Sequence, residues 1–306
     1  MKEFLKSDAS FLTERFPGIG KIQKLGVSLG TSCPNRDGTI GRGGCAYCNN
    51  ASFSPDYQLR TSDIADMLER GKEFFQRKYP SMKYLAYFQS YTNTHGLPID
   101  RLMDVYKEAL NVADVVGLII GTRPDCVPDE LLDRLAELNT KTPVMLEFGA
   151  ESSHNATLGN VNRCHTWECT VDAVMRATSR GLSVGLHFIM GLPGETEDMM
   201  LQTVRRAVSL PVDTLKFHQL QIIRNTALEK RFLAGDPDIH LFTVDEYLDL
   251  VLKIIEIVPD HIAIERFVSQ SPPGLLVAPR WDLKNYQFTN MLNNRLRTVA
   301  DNGNNS

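Results

Sequence analysis

Residues 33–48 read Cys33-Pro34-Asn35-Arg36-Asp37-Gly38-Thr39-Ile40-Gly41-Arg42-Gly43-Gly44-Cys45-Ala46-Tyr47-Cys48, and they follow the apolar run 25–29. The stretch is a C-x11-C-x2-C pattern with four glycines between its first two cysteines. Cysteine thiolates are the usual protein ligands of iron–sulfur clusters, and a cubane held by three of them leaves one iron free to bind a cofactor. Glycines suit a loop that turns tightly around a bulky inorganic body, because they take positive φ at little cost. A loop of this kind directly after a strand places the chemistry at the strand's C-terminal end.

Two other readings of these cysteines stay open at the level of spacing. Structural zinc takes four Cys or His ligands at close intervals, and the next candidate after Cys48 is His95, far along the chain. A C-x-x-C pair such as Cys45 and Cys48 also serves thiol exchange, although that leaves Cys33 and the glycines without a purpose.

The surrounding chain is that of a globular protein. Its 306 residues are 42% hydrophobic and 23% charged, with a formal charge of -4, which gives no broad basic field for nucleic acid. Charges at Lys2, Glu3, Lys6 and Asp8 stand where a signal peptide needs an apolar segment, and no run of about eighteen apolar residues occurs. A soluble cytoplasmic protein is expected, with no membrane partner. Six cysteines, three of them clustered, do not make a secreted disulfide scaffold.

Outward from the cysteine loop, strands and helices alternate. Strands are predicted over 21–29, 82–89, 115–121, 143–148, 182–190 and 214–223, and helices over 64–79, 97–110, 128–138, 166–180, 197–209 and 227–234. The strands are near-continuous apolar runs, as in a parallel sheet covered on both faces. Short right-handed crossovers then set each strand beside the last, giving an α/β partial TIM barrel of the (β/α)6 kind with its site at the C-terminal strand ends. Polar stretches do follow the strands: 90–95, 122–125, 151–154 and 191–195. The expected organisation is an N-terminal segment over 1–20, the barrel over 21–235, and a small α+β C-terminal extension over 236–306. That extension should carry a helix over 243–258, a strand over 262–268, a helix over 285–299 and a frayed tail over 301–306.

These features together resemble the radical S-adenosylmethionine (radical SAM) superfamily, and within it the YhcC-type branch related to the Elongator catalytic subunit. The stretches carrying the resemblance are CPNRDGTIGRGGCAYC, YFQSYTNTH, EFGAESSHNATL, NRCHT, HFIMGLPGET and LVAPRWDL. The first cysteine interval is longer than the superfamily's commonest C-x3-C-x2-C and matches the branch. The resemblance implies that Cys33, Cys45 and Cys48 hold a 4Fe-4S cluster whose fourth iron is chelated by S-adenosylmethionine. Reductive cleavage then yields a 5′-deoxyadenosyl radical that abstracts a substrate hydrogen. It further implies that Tyr47 lies near the adenine, and that Thr92, Asn93 and Thr94 bind the methionine amino group. Glu151 would take the ribose hydroxyls, Arg163 the methionine carboxylate, and Gly191, Leu192 and Pro193 would give backbone contacts to adenine.

Lys216 and His218 alternate on one face of the predicted sixth strand and are the candidate catalytic side chains, with His187 on the fifth strand as another substrate-side candidate. Arg266 and Arg280 are candidate anion contacts. Cys126, Cys164 and Cys169 lack the spacing of a second cluster and are expected to be buried thiols. By analogy with the branch, the substrate is a tRNA wobble uridine whose 5-carboxymethylaminomethyl side chain is processed to 5-aminomethyl. A small-molecule substrate and a non-catalytic iron–sulfur or zinc protein are the competing functions. Reductive cleavage calls for a donor such as reduced flavodoxin or ferredoxin, and the oligomeric state is not written in these motifs.

Overall fold

The computed structural model of the chain describes residues 6–52, 61–76 and 81–303. Its strands are β1 (Ile22–Val27), β2 (Lys83–Phe88), β3 (Val115–Thr122), β4 (Val144–Glu151), β5 (Ser183–Met190) and β6 (Thr214–Gln219). A two-residue β7 (Ile222–Ile223), β8 (Ala263–Ile264) and β9 (Leu276–Ala278) follow. The helices are α1 (Asp8–Arg15), α2 (Pro34–Asp37), α3 (Ile64–Gln76), α4 (Ile99–Asn111), α5 (Asp129–Asn139), α6 (Asn155–Asn160), α7 (Trp167–Thr178), α8 (Glu197–Val208), α9 (Ala227–Leu233), α10 (Val244–Ile257) and α11 (Asn285–Gly303).

The main sheet has seven strands in the order β1-β2-β3-β4-β5-β6-β8, each pairing parallel with its neighbour. It curls into a half-barrel of the partial TIM type with helices on the outer face. Helix starts are set chemically: Thr166, Thr196, Thr226 and Thr243 each accept a backbone N–H of the first turn of α7, α8, α9 and α10. Thr243 and Glu246 complete a reciprocal capping box. The outward strand residues bury against α3, α4, α5, α7, α8 and α10 in one continuous apolar core.

Four expectations change. The predicted sixth strand divides: after Gln219 the chain turns, Leu220 N–H donates to Met190 O, and β7 pairs antiparallel with β9 instead. Of the strand predicted over 262–268 only Ala263 and Ile264 join a ladder, yet they join the main sheet against Thr214 and Leu215. The C-terminal segment therefore supplies a seventh strand as well as packing outside. Helix α11 runs on to Gly303, through part of the expected frayed tail; residues 304–306 lie outside those described. So do 77–80, at the end of the helix predicted over 64–79, and Lys2.

The bottom of the half-barrel is stopped by a helix the sequence reading left as an uninterpreted segment. Phe11 and Leu12 of α1, with Phe16, pack on Leu85, Ile119, Met145 and Ala263. Each such buried side chain contributes about 1.5–3 kcal/mol relative to exposure. Ser7 bridges to Ile264, and Lys6 O accepts the Ile264 N–H, so this segment also borders the last strand.

Candidate functional site

Above the apolar stopper lies a layer of buried charge. Lys24 of β1, Tyr87 of β2, Glu147 of β4, His187 of β5 and Lys216 of β6 meet there with Glu265, just past β8. Glu147 Oε2 accepts from Tyr87 Oη at 2.6 Å and pairs with His187 Nε2 at 2.6 Å. Lys216 Nζ donates to Tyr87 Oη at 2.9 Å and lies 2.8 Å from Glu265, while Lys24 lies 2.7 Å from Glu265 and 3.6 Å from Glu147. Burial alone would raise the carboxyl of Glu147, but Lys216, Lys24 and His187 hold it well below the ordinary value. The same contest, burial against Lys216 and Lys24, leaves Glu265 at about 2. Glu147, His187 and Glu265 offer ligand atoms within 4.8 Å of one another, yet two ammonium groups already balance both carboxylates.

The layer floors a cavity at the C-terminal ends of the strands. Its walls include all three loop cysteines, Tyr47, Thr92, Glu151, Arg163, Lys216 and His218. The sequence brings the cysteines there by a compact local fold. Cys33 N-caps α2, Pro34 opens it and Gly38 closes it at φ +94°. A side chain at Gly41 would displace Asn35, since a Cβ would stand 2.2 Å from Asn35 Oδ1. The loop is then clamped from across the cavity: Ala46 N–H donates to Val161 O, and Asn162 Nδ2 to Gly44 O at 2.8 Å. Two donors converge on one sulfur, Asn35 Nδ2 at 3.5 Å and Arg163 Nη1 at 3.6 Å from Cys45 Sγ. Burial, reinforced by Cys45, pushes the Cys48 thiol up to about 11. A cationic body among the three sulfurs would offset this rise and favour the Cys48 thiolate.

Beside the cysteines, Arg163 is buried, donates to Gly149 O and pairs with Glu151 at 3.5 Å. Burial opposes its charge, and Tyr47, Cys45 and Glu151 raise its pKa well above the ordinary value regardless. Glu151 itself sits at φ +69°, an uncommon backbone for a non-glycine residue, at the end of β4. Several buried polar atoms of the wall have no partner: Tyr47 Oη, Thr92 Oγ1, Arg123 Nη1 and Arg163 Nε. Orphaned donors and acceptors in one wall mark a place for a polar ligand. An amino-acid and nucleoside conjugate beside an iron–sulfur body fits this donor set.

The candidates do not all gather here. Asn93 and Thr94 do not line the cavity: Asn93 Nδ2 holds Phe88 O and Gly121 O, and the Thr94 hydroxyl bonds Thr122 and Cys126 O. Gly191 and Leu192 line a separate groove under Phe242, Pro193 lines neither, and β5 reaches the main cavity through His187 and Ile189. The expected buried thiols are otherwise placed: Cys164 is exposed, and Cys126 and Cys169 are half-buried. Cys164 stands at φ +61°, which turns its sulfur toward Asn35 Oδ1 and the outside. Sequence reasoning passed over Lys24, Tyr87, Glu147 and Glu265. A single polar residue on the inward side of an otherwise apolar strand is the signal that finds them.

The family model described as the radical SAM superfamily matches residues 28–207, and the model of the radical SAM C-terminal domain matches residues 212–298. The uncharacterized protein YtqA of Bacillus subtilis is 35% identical over 276 residues, 90% of this chain and 85% of that one. Protein YhcC of Escherichia coli is 39% identical over 262 residues, 85% of this chain and 82% of that one. A tRNA uridine(34) acetyltransferase of Methanocaldococcus infernus is 24% identical over 165 residues, 53% of this chain and 30% of that one. Among solved structures, the archaeal Elp3 of Methanocaldococcus infernus superposes with a TM-score of 0.69 at 16% identity, covering 91% of this chain and 63% of that one.

Proposed function

Since this chain belongs to the radical SAM superfamily, we propose that Cys33, Cys45 and Cys48 hold its cluster and that Tyr47, Thr92, Glu151 and Arg163 bind S-adenosylmethionine beside it. The cofactors of the family are a 4Fe-4S cluster and S-adenosylmethionine, so the zinc and thiol-exchange readings of the loop fall away. When bound, they supply one-electron reductive chemistry that ends in removal of a hydrogen atom from a substrate. The observation that carries the residue assignment is the convergence on one cavity of three sulfurs with the unpartnered polar atoms of Tyr47, Thr92, Arg123 and Arg163.

The chain's own side chains have distinct tasks in this reading. Asn35 and Arg163 direct N–H groups at Cys45 Sγ, which stabilises negative charge on that sulfur and tunes the cluster. Glu151 accepts hydroxyl donors while Arg163 balances its charge. Ile189 and Leu220 line the cavity with apolar surface and keep water from a reactive intermediate. Lys216 is fixed at the floor by Tyr87 and Glu265, and burial followed by Arg266 keeps His218 neutral by lowering it to about 3. A neutral imidazole beside an ammonium is an acceptor and donor pair for a polar substrate group.

The substrate we assign is a tRNA wobble uridine, with processing of a 5-carboxymethylaminomethyl side chain to 5-aminomethyl, and the electron donor is reduced flavodoxin or ferredoxin. Similarity to a tRNA uridine(34) acetyltransferase over half of this chain supports the first. Anaerobic reconstitution with iron and sulfide, followed by measurement of 5′-deoxyadenosine with and without tRNA, tests the chemistry. Nucleoside mass spectrometry of tRNA from a deletion strain tests the substrate: an unchanged wobble-uridine profile overturns it.

A further inference from the structure

Five cationic side chains line the cavity: Arg36, Arg123, Arg163, Lys216 and Arg266. Four are engaged. Arg36 donates to Cys48 O, Arg123 forks onto Asp125 at 2.7 Å, Arg163 pairs with Glu151 at 3.5 Å, and Lys216 with Glu265 at 2.8 Å. Arg266 has no such partner: among the described residues no carboxylate oxygen lies within 4.0 Å of it, and its Nε is buried without an acceptor. Arg266 is half-buried, and its Nε, withdrawn from water without an acceptor, costs free energy that an arriving anion recovers.

The position of Arg266 is fixed by the sheet. Its carbonyl accepts the Phe217 N–H at 3.0 Å, and the preceding Glu265 N–H donates to Leu215 O at 2.9 Å. Burial and then Arg266 depress the neighbouring imidazole of His218, which therefore adds no charge beside the guanidinium. Ser269, Ser271 and Gln221 line both this cavity and an adjoining groove. They are locked together, Gln221 Nε2 donating to Ser269 O at 3.1 Å and Ser271 Oγ to Gln221 Oε1 at 2.7 Å. The groove carries Arg280 and Lys284 beside Trp281 and a single acidic residue, Asp282.

We propose that Arg266 is the specificity-determining residue of the substrate side, that it binds an oxyanion of the substrate, and that the substrate enters along the groove of Arg280, Trp281 and Lys284. The planar guanidinium matches a carboxylate or a phosphate equally, with two parallel N–H donors. The oxyanion is therefore a carboxylate on the group being modified or a phosphate of the chain that carries it. This rests on the radical SAM reading of the same cavity.

The test uses anticodon stem-loop RNAs whose wobble position is 5-carboxymethylaminomethyluridine, its methyl ester or plain uridine. Their binding to anaerobically reconstituted protein with S-adenosylmethionine is compared for the wild type, Arg266→Gln and Arg266→Lys, with iron content and thermal midpoint reporting that each variant is folded. Arg266→Gln is expected to weaken binding by about 10- to 100-fold, and Arg266→Lys to recover part of it, since the charge returns without the fork. Loss confined to the carboxylate RNA identifies the side-chain acid, and equal loss on all three identifies a backbone phosphate. Wild-type-like binding by Arg266→Gln, or no binding of any RNA by the wild type, overturns the proposal. Formation of 5′-deoxyadenosine by the wild type without RNA stands or falls separately, and its absence sinks the underlying reading instead.

Discussion

Lys24 on the first strand of the sheet and Glu265 beyond the last lie 2.7 Å apart, although 241 residues separate them in sequence. They link the first and last strands of the open half-barrel at the level of the charged floor. Removing one partner of a buried pair strands the other, at a cost of about 3–5 kcal/mol. Glu265→Gln leaves both Lys24 and Lys216 short of an anion and is expected to lower unfolding free energy by about 3 kcal/mol in urea titration. A midpoint unchanged from wild type would show that the floor does not hold the sheet closed.

Acid should undo the same contact. The folded Glu265 titrates at about 2 against an ordinary 4.5, so between these values the unfolded chain binds more protons. Stability is present above pH 4.5 and is lost as pH falls toward 2. The depressed His218, about 3 against 6.5, adds loss in the same direction from pH 6.5 downward. Wild-type stability measured from pH 7 to pH 3 should therefore fall, and Glu265→Gln should flatten the part below pH 4.5.

Glu195 gives the opposite slope. Burial raises its carboxyl to about 7, against hydrogen bonds from Ser152 and Thr157 that pull it down. Its contribution is full below pH 4.5 and is lost as pH rises through 7. Glu195→Gln keeps the volume and the polar contacts without the charge, and is expected to exceed wild-type stability at pH 8 by on the order of 2 kcal/mol while matching it at pH 4. Equal stability at both values would contradict the burial of this carboxyl.

The cysteine trio and the outlying thiols should separate cleanly. Cys45→Ala is expected to lose the iron–sulfur absorbance after reconstitution and to abolish 5′-deoxyadenosine formation. Cys169→Ala, half-buried at the first turn of α7, should retain both. Iron and labile sulfide analysis of the two proteins is the check, and full loading of Cys45→Ala would remove Cys45 from the ligand set.

Gly41→Ala tests the loop's packing alone. The added Cβ meets Asn35 Oδ1 at 2.2 Å, and Asn35 is the residue that donates to Cys45 Sγ. Displacing it should lower iron occupancy after reconstitution and move the cluster's midpoint potential to more negative values, because a sulfur that loses a hydrogen-bond donor is a poorer home for extra electron density. An unaltered potential would argue that Asn35 matters only for loop shape.

Much of this architecture was written locally. Apolar runs of strand length, helices opened by threonine, and polar stretches after each strand reveal the βα rhythm because each depends on residues within a few positions. The cysteine loop is legible for the same reason. The strand over 262–268 was not recognised as the seventh of the main sheet because its ladder is two residues long, Ala263 and Ile264, and is made by pairing with Thr214 and Leu215. The floor was missed because Lys24, Glu147 and Glu265 become neighbours only through curvature of the sheet, and each alone looks like an ordinary polar alternation. Asn93 and Thr94 show what a motif alone does not reveal: Asn93 Nδ2 and the Thr94 hydroxyl bond Phe88, Gly121, Thr122 and Cys126, while Asn93 Oδ1 is left without a partner.

The stopper of Phe11, Leu12 and Phe16 has a consequence for assembly. It seats on Ala263 as well as on Leu85, Ile119 and Met145, so its socket is complete only when the seventh strand has docked. Contacts spanning such a length of chain form late, since their loop-closure entropy must be met first. During biosynthesis the cysteine loop leaves the ribosome long before the finished socket can form, so it stays open to solvent over that interval.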